Sequence, residues 1–160
     1  MTASIGETIP DLELPATGNR SVKLSDYRGK HLVLYFYPKA STPGCAQEGQ
    51  DFRDAFEEFA AANTVILGTS RDSLKAQDAF KAKQGFNFDL LSDQDEALCR
   101  VFDVIKPKKM FGKDTVGVER STFLIDATGV LRQEWRGVKV KGHVEEVLAA
   151  ARSLATSPPA

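Results

Sequence analysis

Apolar residues in this chain fall into short runs of two kinds, and the kinds alternate. His31-Leu-Val-Leu-Tyr-Phe-Tyr37 is an unbroken stretch of β-formers. That is the pattern of a strand covered on both faces, and Pro38 ends it. Thr64 to Thr69 and Ser121 to Asp126 read the same way, and Phe88 to Leu91 is a shorter version. Between these runs apolar residues recur at three and four. Phe52, Ala55, Phe56 and Phe59 predict a long helix over 45–62, with Pro43 near its first turn, where a missing N–H costs nothing. Ser73 caps a helix through about Lys83 that Gly85 stops. Ser92-Asp-Gln-Asp95 has the form of a capping box, opening a helix through about Val104. His143 to Leu154 is a closing helix.

The remaining segments are extended or irregular. Gly6 to Pro15 reads as an extended arm with Ile9, Leu12 and Leu14 inward. Thr17 to Arg20 is a turn, and Val22 and Leu24 return, giving an N-terminal β-hairpin. Residues 105–117 carry Pro107, Gly112 and clustered lysines, and are expected to be a mobile basic connection. Thr128-Gly129 turns the chain into a second hairpin over Val130 to Arg136. Buried strands alternating with helices predict an α/β fold with a central sheet flanked by helices. The hairpins add antiparallel strands and make that sheet mixed. The 160 residues are expected to form a single domain, with about 1–8 and 155–160 as flexible tails.

Composition narrows the function. Lys plus Arg number 21 and Asp plus Glu 22, a net charge of −1, so nothing global draws the chain to nucleic acid or anionic lipid. No apolar run approaches a membrane span, and the N-terminal residues lack a basic segment followed by an apolar core. A cytoplasmic location is expected, with both cysteines as free thiols. Two cysteines, Cys45 and Cys99, and two histidines, His31 and His143, supply neither a C-x-x-C pair nor a multi-histidine metal site. No metal and no cofactor is expected.

Chemistry concentrates in Tyr37-Pro-Lys-Ala-Ser-Thr-Pro-Gly-Cys45. The segment sets a cysteine just past a buried strand, at the start of a helix. Unpaired N–H groups and the helix dipole there favour a thiolate over a thiol. Thr42 is placed to reach back toward the sulfur or a bound oxygen, and Pro38 to shield the sulfur from water. Cleaving an O–O bond also needs charge on the leaving oxygen to be stabilised. Arg120, just ahead of the strand beginning at Ser121, is the candidate cation if that strand lies beside the first buried one. Glu48, one turn into the helix, could orient it.

With those residues in view, the run YFYPKASTPGCAQE, carrying P-x-x-x-T-x-x-C at Pro38, Thr42 and Cys45, resembles the active-site motif of peroxiredoxins. The TPGC form followed by a glutamate is similar to the bacterioferritin-comigratory-protein (BCP/PrxQ) branch, and Val118 to Ile125 resembles the family's GVxRSTFLI strand. The resemblance runs from about Ile9 to Leu148. It implies a thioredoxin-like fold and a thiol-dependent peroxidase acting on hydrogen peroxide and organic hydroperoxides. It also implies that Cys45 is oxidised to a sulfenic acid, that Thr42 and Arg120 hold the peroxide, and that Pro38 covers the pocket. The implied assembly is a monomer or weak dimer.

The chain departs from the branch in its second thiol. Many members carry a resolving cysteine five residues on, where Gln50 stands; others carry one in the next helix, at a position matched to Lys81. Two cycles stay open. Either Cys45 works alone and an external thiol (thioredoxin, glutaredoxin or glutathione) reduces it, or Cys99 is an atypical resolving cysteine. Cys99 sits next to an apolar face of Leu98, Val101, Phe102 and Ile105, where a cysteine is more often a small buried hydrophobe. A thioredoxin-like disulfide reductase and a non-catalytic binding module are the other readings. The first normally wants a vicinal cysteine where Glu48 stands, and the second leaves the nucleophile loop unexplained.

Overall fold

A computed structural model describes residues 2–110 and 112–156, and of residues 108–110 the backbone alone. The N-terminal hairpin is β1 (Glu13–Ala16) and β2 (Arg20–Lys23), followed by a 3-10 turn and the central strand β3 (His31–Phe36). Two helices, α1 (Pro43–Asp54) and α2 (Phe56–Ala61), lead to β4 (Thr64–Ser70), α3 (Leu74–Gln84) and β5 (Asp89–Ser92). Then come α4 (Ala97–Val101), a hairpin of β6 (Ile105–Met110) and β7 (Lys113–Val118), the strands β8 (Ser121–Ile125) and β9 (Leu131–Trp135), and α5 (His143–Thr156).

Seven of the described strands form one mixed sheet in the order β2-β1-β5-β4-β3-β8-β9. The parallel pairs β3–β4 and β4–β5 arise because a helix intervenes between the strands. The antiparallel pair β3–β8 sets Phe36 opposite Ser121, which brings Arg120 to the end of β3 that feeds α1. Along β3, Leu32, Leu34 and Phe36 enter one core with Phe102, Phe123 and Cys99. Val33, Tyr35 and the following Tyr37 enter a second core with Phe52, Phe59, Phe80 and Cys45. Strand alternation thus puts the two cysteines on opposite faces of the sheet.

Several expectations need correction. The helix over 45–62 is two helices, because the chain tightens at Ala55 (φ −97°, ψ 5°). Phe52 and Phe59 are both fully buried on either side of that break, 5.8 Å apart, so one apolar face continues through it. Ser92 is the last residue of β5 and caps nothing. Asp93 does that work, accepting from the N–H groups of Leu98 (3.0 Å) and Cys99 (2.7 Å), and α4 begins only at Ala97. The basic connection over 105–117 is instead the β6–β7 hairpin, paired from Ile105–Val118 to Met110–Lys113. Within the expected N-terminal tail, Ala3 donates to Val101, Gly6 to Leu131, and Thr8 bridges Val130. At the other end Ala155 and Thr156 belong to α5, and 157–160 lie outside the described residues. No described helix is long and apolar enough to cross a membrane.

Candidate active site

The loop leaving β3 is anchored before it reaches the cysteine. The Ala40 N–H donates to Asp72 Oδ2 at 2.8 Å, and Ser70 Oγ donates to the same oxygen at 2.6 Å. Asp72 follows β4, so the neighbouring strand holds the loop. Ser41 takes a left-handed conformation (φ 66°), and Thr42 becomes the N-cap of α1 with Pro43 at its first position. The Thr42 hydroxyl donates to the Lys39 carbonyl at 2.8 Å, so its proton is committed to the loop, and its lone pairs are the part left for a ligand. Pro38 is half-buried at the start of that loop.

Cys45, in the first turn of α1, is 2% exposed. Arg120 reaches it from the start of β8. Its Nη2 lies 3.4 Å from Cys45 Sγ, and its Nη1 donates to Glu48 Oε1 at 2.7 Å. One planar guanidinium therefore spans the sulfur and the carboxylate. The close fit continues at Gly44, where a Cβ would come within 3.2 Å of Arg120 Nη2. Glu48 is fully buried, and its Oε2 has no hydrogen-bond partner. Burial pushes its carboxyl up to about 7, against the pull of Arg120. For Arg120 itself, burial works against the charge, but Glu48 and Cys45 outweigh it and hold the guanidinium more firmly protonated. Beside the site, a groove of about 1020 Å³ is lined by Pro43, Gly44, Ala55, Val144 and Leu148 among others.

A cysteine sulfur in contact with a guanidinium at a helix start is an arrangement able to supply a nucleophile and a stabiliser for a negatively charged leaving group. A model of the AhpC/TSA family matches residues 5–134. The chain is 53% identical over 154 residues to Peroxiredoxin Bcp of Bacillus subtilis, covering 96% of this chain and 98% of that one. It is 55% identical over 145 residues to the protein of the same name from Xanthomonas campestris, covering 91% of each. The chain belongs to the peroxiredoxins, in the Bcp/PrxQ branch. Solved structures agree. Peroxiredoxin Q of X. campestris superposes with a TM-score of 0.87 at 54% identity, over 91% of this chain and 92% of that one. A PrxQ mutant of Xylella fastidiosa gives 0.90 at 46% identity, over 96% and 98%. The fold is thioredoxin-like, and the peroxiredoxin is a thiol-dependent peroxidase.

In this peroxiredoxin the structure brings Cys45, Arg120 and Glu48 together and sets Cys99 apart. Cys99 is 0% exposed, and burial together with the hydrogen bond to Asp93 pushes its thiol well up. His143 lies under the site, its Nε2 2.7 Å from Thr122 Oγ1, with Phe52 and Trp135 meeting its ring edge-on. Burial, helped by the charge of Arg120, pushes its imidazole down to about 4. Among the described residues no three His, Cys, Asp or Glu side chains are grouped to hold a metal.

Two supports escaped the sequence reading. Asp72 holds the loop across thirty-two positions, and its only sequence signal is an acid beside the helix cap Ser73. The Tyr37 hydroxyl donates to Gln77 Oε1 at 2.6 Å, while Gln77 Nε2 donates to the Leu91 carbonyl at 2.8 Å, tying the end of β3 to α3 and β5.

Proposed function

We propose that Cys45 is the peroxidatic cysteine of a one-cysteine cycle acting on hydrogen peroxide and small organic hydroperoxides. The thiolate attacks the terminal peroxide oxygen and forms an S–O bond. The O–O bond breaks, and its electron pair leaves on the distal oxygen, which takes a proton to become water or an alcohol. Arg120 stabilises that developing charge. Thr42, whose own proton goes to Lys39, accepts a hydrogen bond from the peroxide, and Pro38 keeps water from the sulfur. The observation that carries this reading is the contact of Arg120 with both Cys45 and Glu48. One solved structure of the X. campestris protein concerns its alkyl peroxide reduction activity. The groove beside Pro43 and Gly44 offers room for an alkyl group here.

The sulfenic acid then needs an outside thiol. Structures of the X. campestris protein include variants with serine at one or the other of two cysteines, thirty-six positions apart. The same separation from Cys45 falls on Lys81. Its ammonium donates to Asp89 at 2.9 Å, beside Arg20 and Thr17 on the same carboxylate. Cys99 is screened by the sheet. A first thiol forms a mixed disulfide with Cys45 and releases water; a second releases the thiol form. Thioredoxin, glutaredoxin and glutathione are the candidate donors, in the cytoplasm, with the enzyme a monomer or weak dimer.

Intact mass after one equivalent of hydrogen peroxide tests this. A gain of about 16 mass units, kept in Cys99→Ser and absent in Cys45→Ser, is expected. A loss of about 2, or a covalent dimer, would replace the one-cysteine cycle with a disulfide cycle.

A further inference from the structure

Charges at the sulfur do not pair one to one. Arg120 is a single cation in contact with Cys45 and Glu48, and both of these can be anions. Glu48 is 0% exposed, accepts from Arg120 through Oε1, and leaves Oε2 buried without a partner. Two buried anions against one cation are costly, because no water offsets the second. Groups on the neighbouring elements do not relieve the excess. Asp51, further along α1, adds negative charge. Tyr35, on β3, feels both Glu48 and Cys45, but burial keeps its hydroxyl protonated. His143, at the start of α5, is neutral above about 4.

We propose that Glu48 is the proton reserve of the peroxidase reaction, protonated while Cys45 is a thiolate and ionised once Cys45 is a sulfenic acid, so that Arg120 faces one anion throughout. This rests on the reading of Cys45 as the peroxidatic residue. The balance closes at each step. Sulfur loses two electrons to the peroxide, the thiolate charge disappears into the S–OH group, and the departing oxygen takes up one proton. Glu48 gives one proton up, and its new carboxylate replaces the thiolate as counter-ion to Arg120. No proton is drawn from bulk solvent. When two outside thiols return Cys45 to the thiol, with loss of water and formation of their disulfide, the Cys45 proton passes to Glu48 and the starting state is restored. Burial that brings Glu48 up to about 7 makes this exchange accessible near neutral pH. Glutamine could hold Arg120 through the same oxygen, but could not store the proton. Glu48 acts through Arg120 and the proton balance, so it is a positioning residue.

The test is infrared difference spectroscopy of the full chain at pH 7, before and after one equivalent of hydrogen peroxide. Cys45 sulfenate is measured by mass in the same sample, and the starting thiolate by ultraviolet absorbance. The expected result is a protonated-carboxyl band in the reduced protein that is lost as sulfenate forms and is missing in Glu48→Gln. An indicator dye in unbuffered solution should read close to zero protons taken up per Cys45 in the wild type and close to one in Glu48→Gln. If Glu48→Gln does not fold, the wild-type band and proton count decide alone. Sulfenate formation from a thiolate with no carboxyl change and one proton drawn from solvent overturns the proposal while leaving the role of Cys45 intact. No sulfenate at all overturns both.

Discussion

Cys45 and Cys99 are both buried, but on opposite faces of one β-sheet, and β3 runs between their two cores. A disulfide between them would require the sheet to open, at a cost comparable to unfolding the domain. Cys99 also spends its backbone N–H on Asp93 in holding the start of α4. Replacing it should therefore touch stability and not turnover. Cys99→Ser is expected to keep peroxidase activity within about twofold and to lose about 1–2 kcal/mol of stability, the scale of perturbing one buried polar contact. Steady-state peroxide consumption with a thiol reductant, beside a urea melt, checks both. A large loss of turnover in this variant would return Cys99 to the cycle.

Arg120 combines charge with a two-pronged shape, and a lysine supplies only the charge. From one ammonium the contacts to Cys45 Sγ and Glu48 Oε1 cannot both be made in the plane that the guanidinium offers. Arg120→Lys is expected to slow the peroxide step about 10²- to 10³-fold, the usual consequence of losing a preorganised charge stabiliser. Stability should fall much less, because a protonated Glu48 leaves no buried carboxylate unpaired when its cation is displaced. Stopped-flow rates of Cys45 oxidation compared with thermal melts separate the two. A variant that melts early but reacts at the normal rate would mean Arg120 is a structural ion pair.

Much of this arrangement was legible in the chain. β3 and β4 announced themselves as unbroken runs of β-formers, and a strand beginning at Ser121 that pairs with β3 had to bring Arg120 toward Cys45. The depth of Glu48 was not legible, since a first-turn glutamate reads equally well as a solvent-facing partner of the helix dipole. Whether it is buried depends on how α1 leans on the sheet, and the close contact of Gly49 with the Phe86 ring belongs to that packing. Residues 105–117 misled for another reason. Their lysines and Pro107 show no alternation, and the β6–β7 ladder is set by backbone pairing that side-chain pattern does not encode. Asp93 took the capping role expected of Ser92 because its carboxylate reaches two N–H groups at once.

Two buried titratable groups near the site should oppose each other in the pH dependence of stability. His143 is pushed from 6.5 down to about 4, so as pH falls from 6.5 the unfolded chain binds a proton that the fold refuses, and stability drops. Glu48 is pushed from 4.5 up to about 7, so as pH rises from 4.5 the fold keeps a proton that the unfolded chain has lost, and stability drops in the other direction. Between 4.5 and 6.5 their two contributions largely cancel. His143→Gln should then lose stability as pH rises through this window, and Glu48→Gln should gain it, each by at most about 1.4 kcal/mol per pH unit. Urea midpoints of the reduced proteins at several pH values check the signs. Parallel curves for wild type and both variants would show that neither group titrates differently in the fold.

Asp72 anchors the loop that leads to Cys45 without touching the sulfur. Its carboxylate receives the N–H of the nearly buried Ala40, two residues before Thr42, and so fixes where the loop delivers the first turn of α1. Asp72→Ala leaves that N–H without its partner, at a cost of about 1–3 kcal/mol. It also frees the loop carrying Thr42, and small displacements of positioning groups are expensive in rate, so Cys45 oxidation should slow about tenfold or more. Asp72→Asn keeps an oxygen that can accept from Ala40 and should recover most of the rate. Stopped-flow oxidation of the three proteins at one pH makes the comparison. If Asp72→Ala loses stability but oxidises at the wild-type rate, then α1 and Arg120 set the geometry of Cys45 by themselves, and the anchor at Ala40 serves the fold alone.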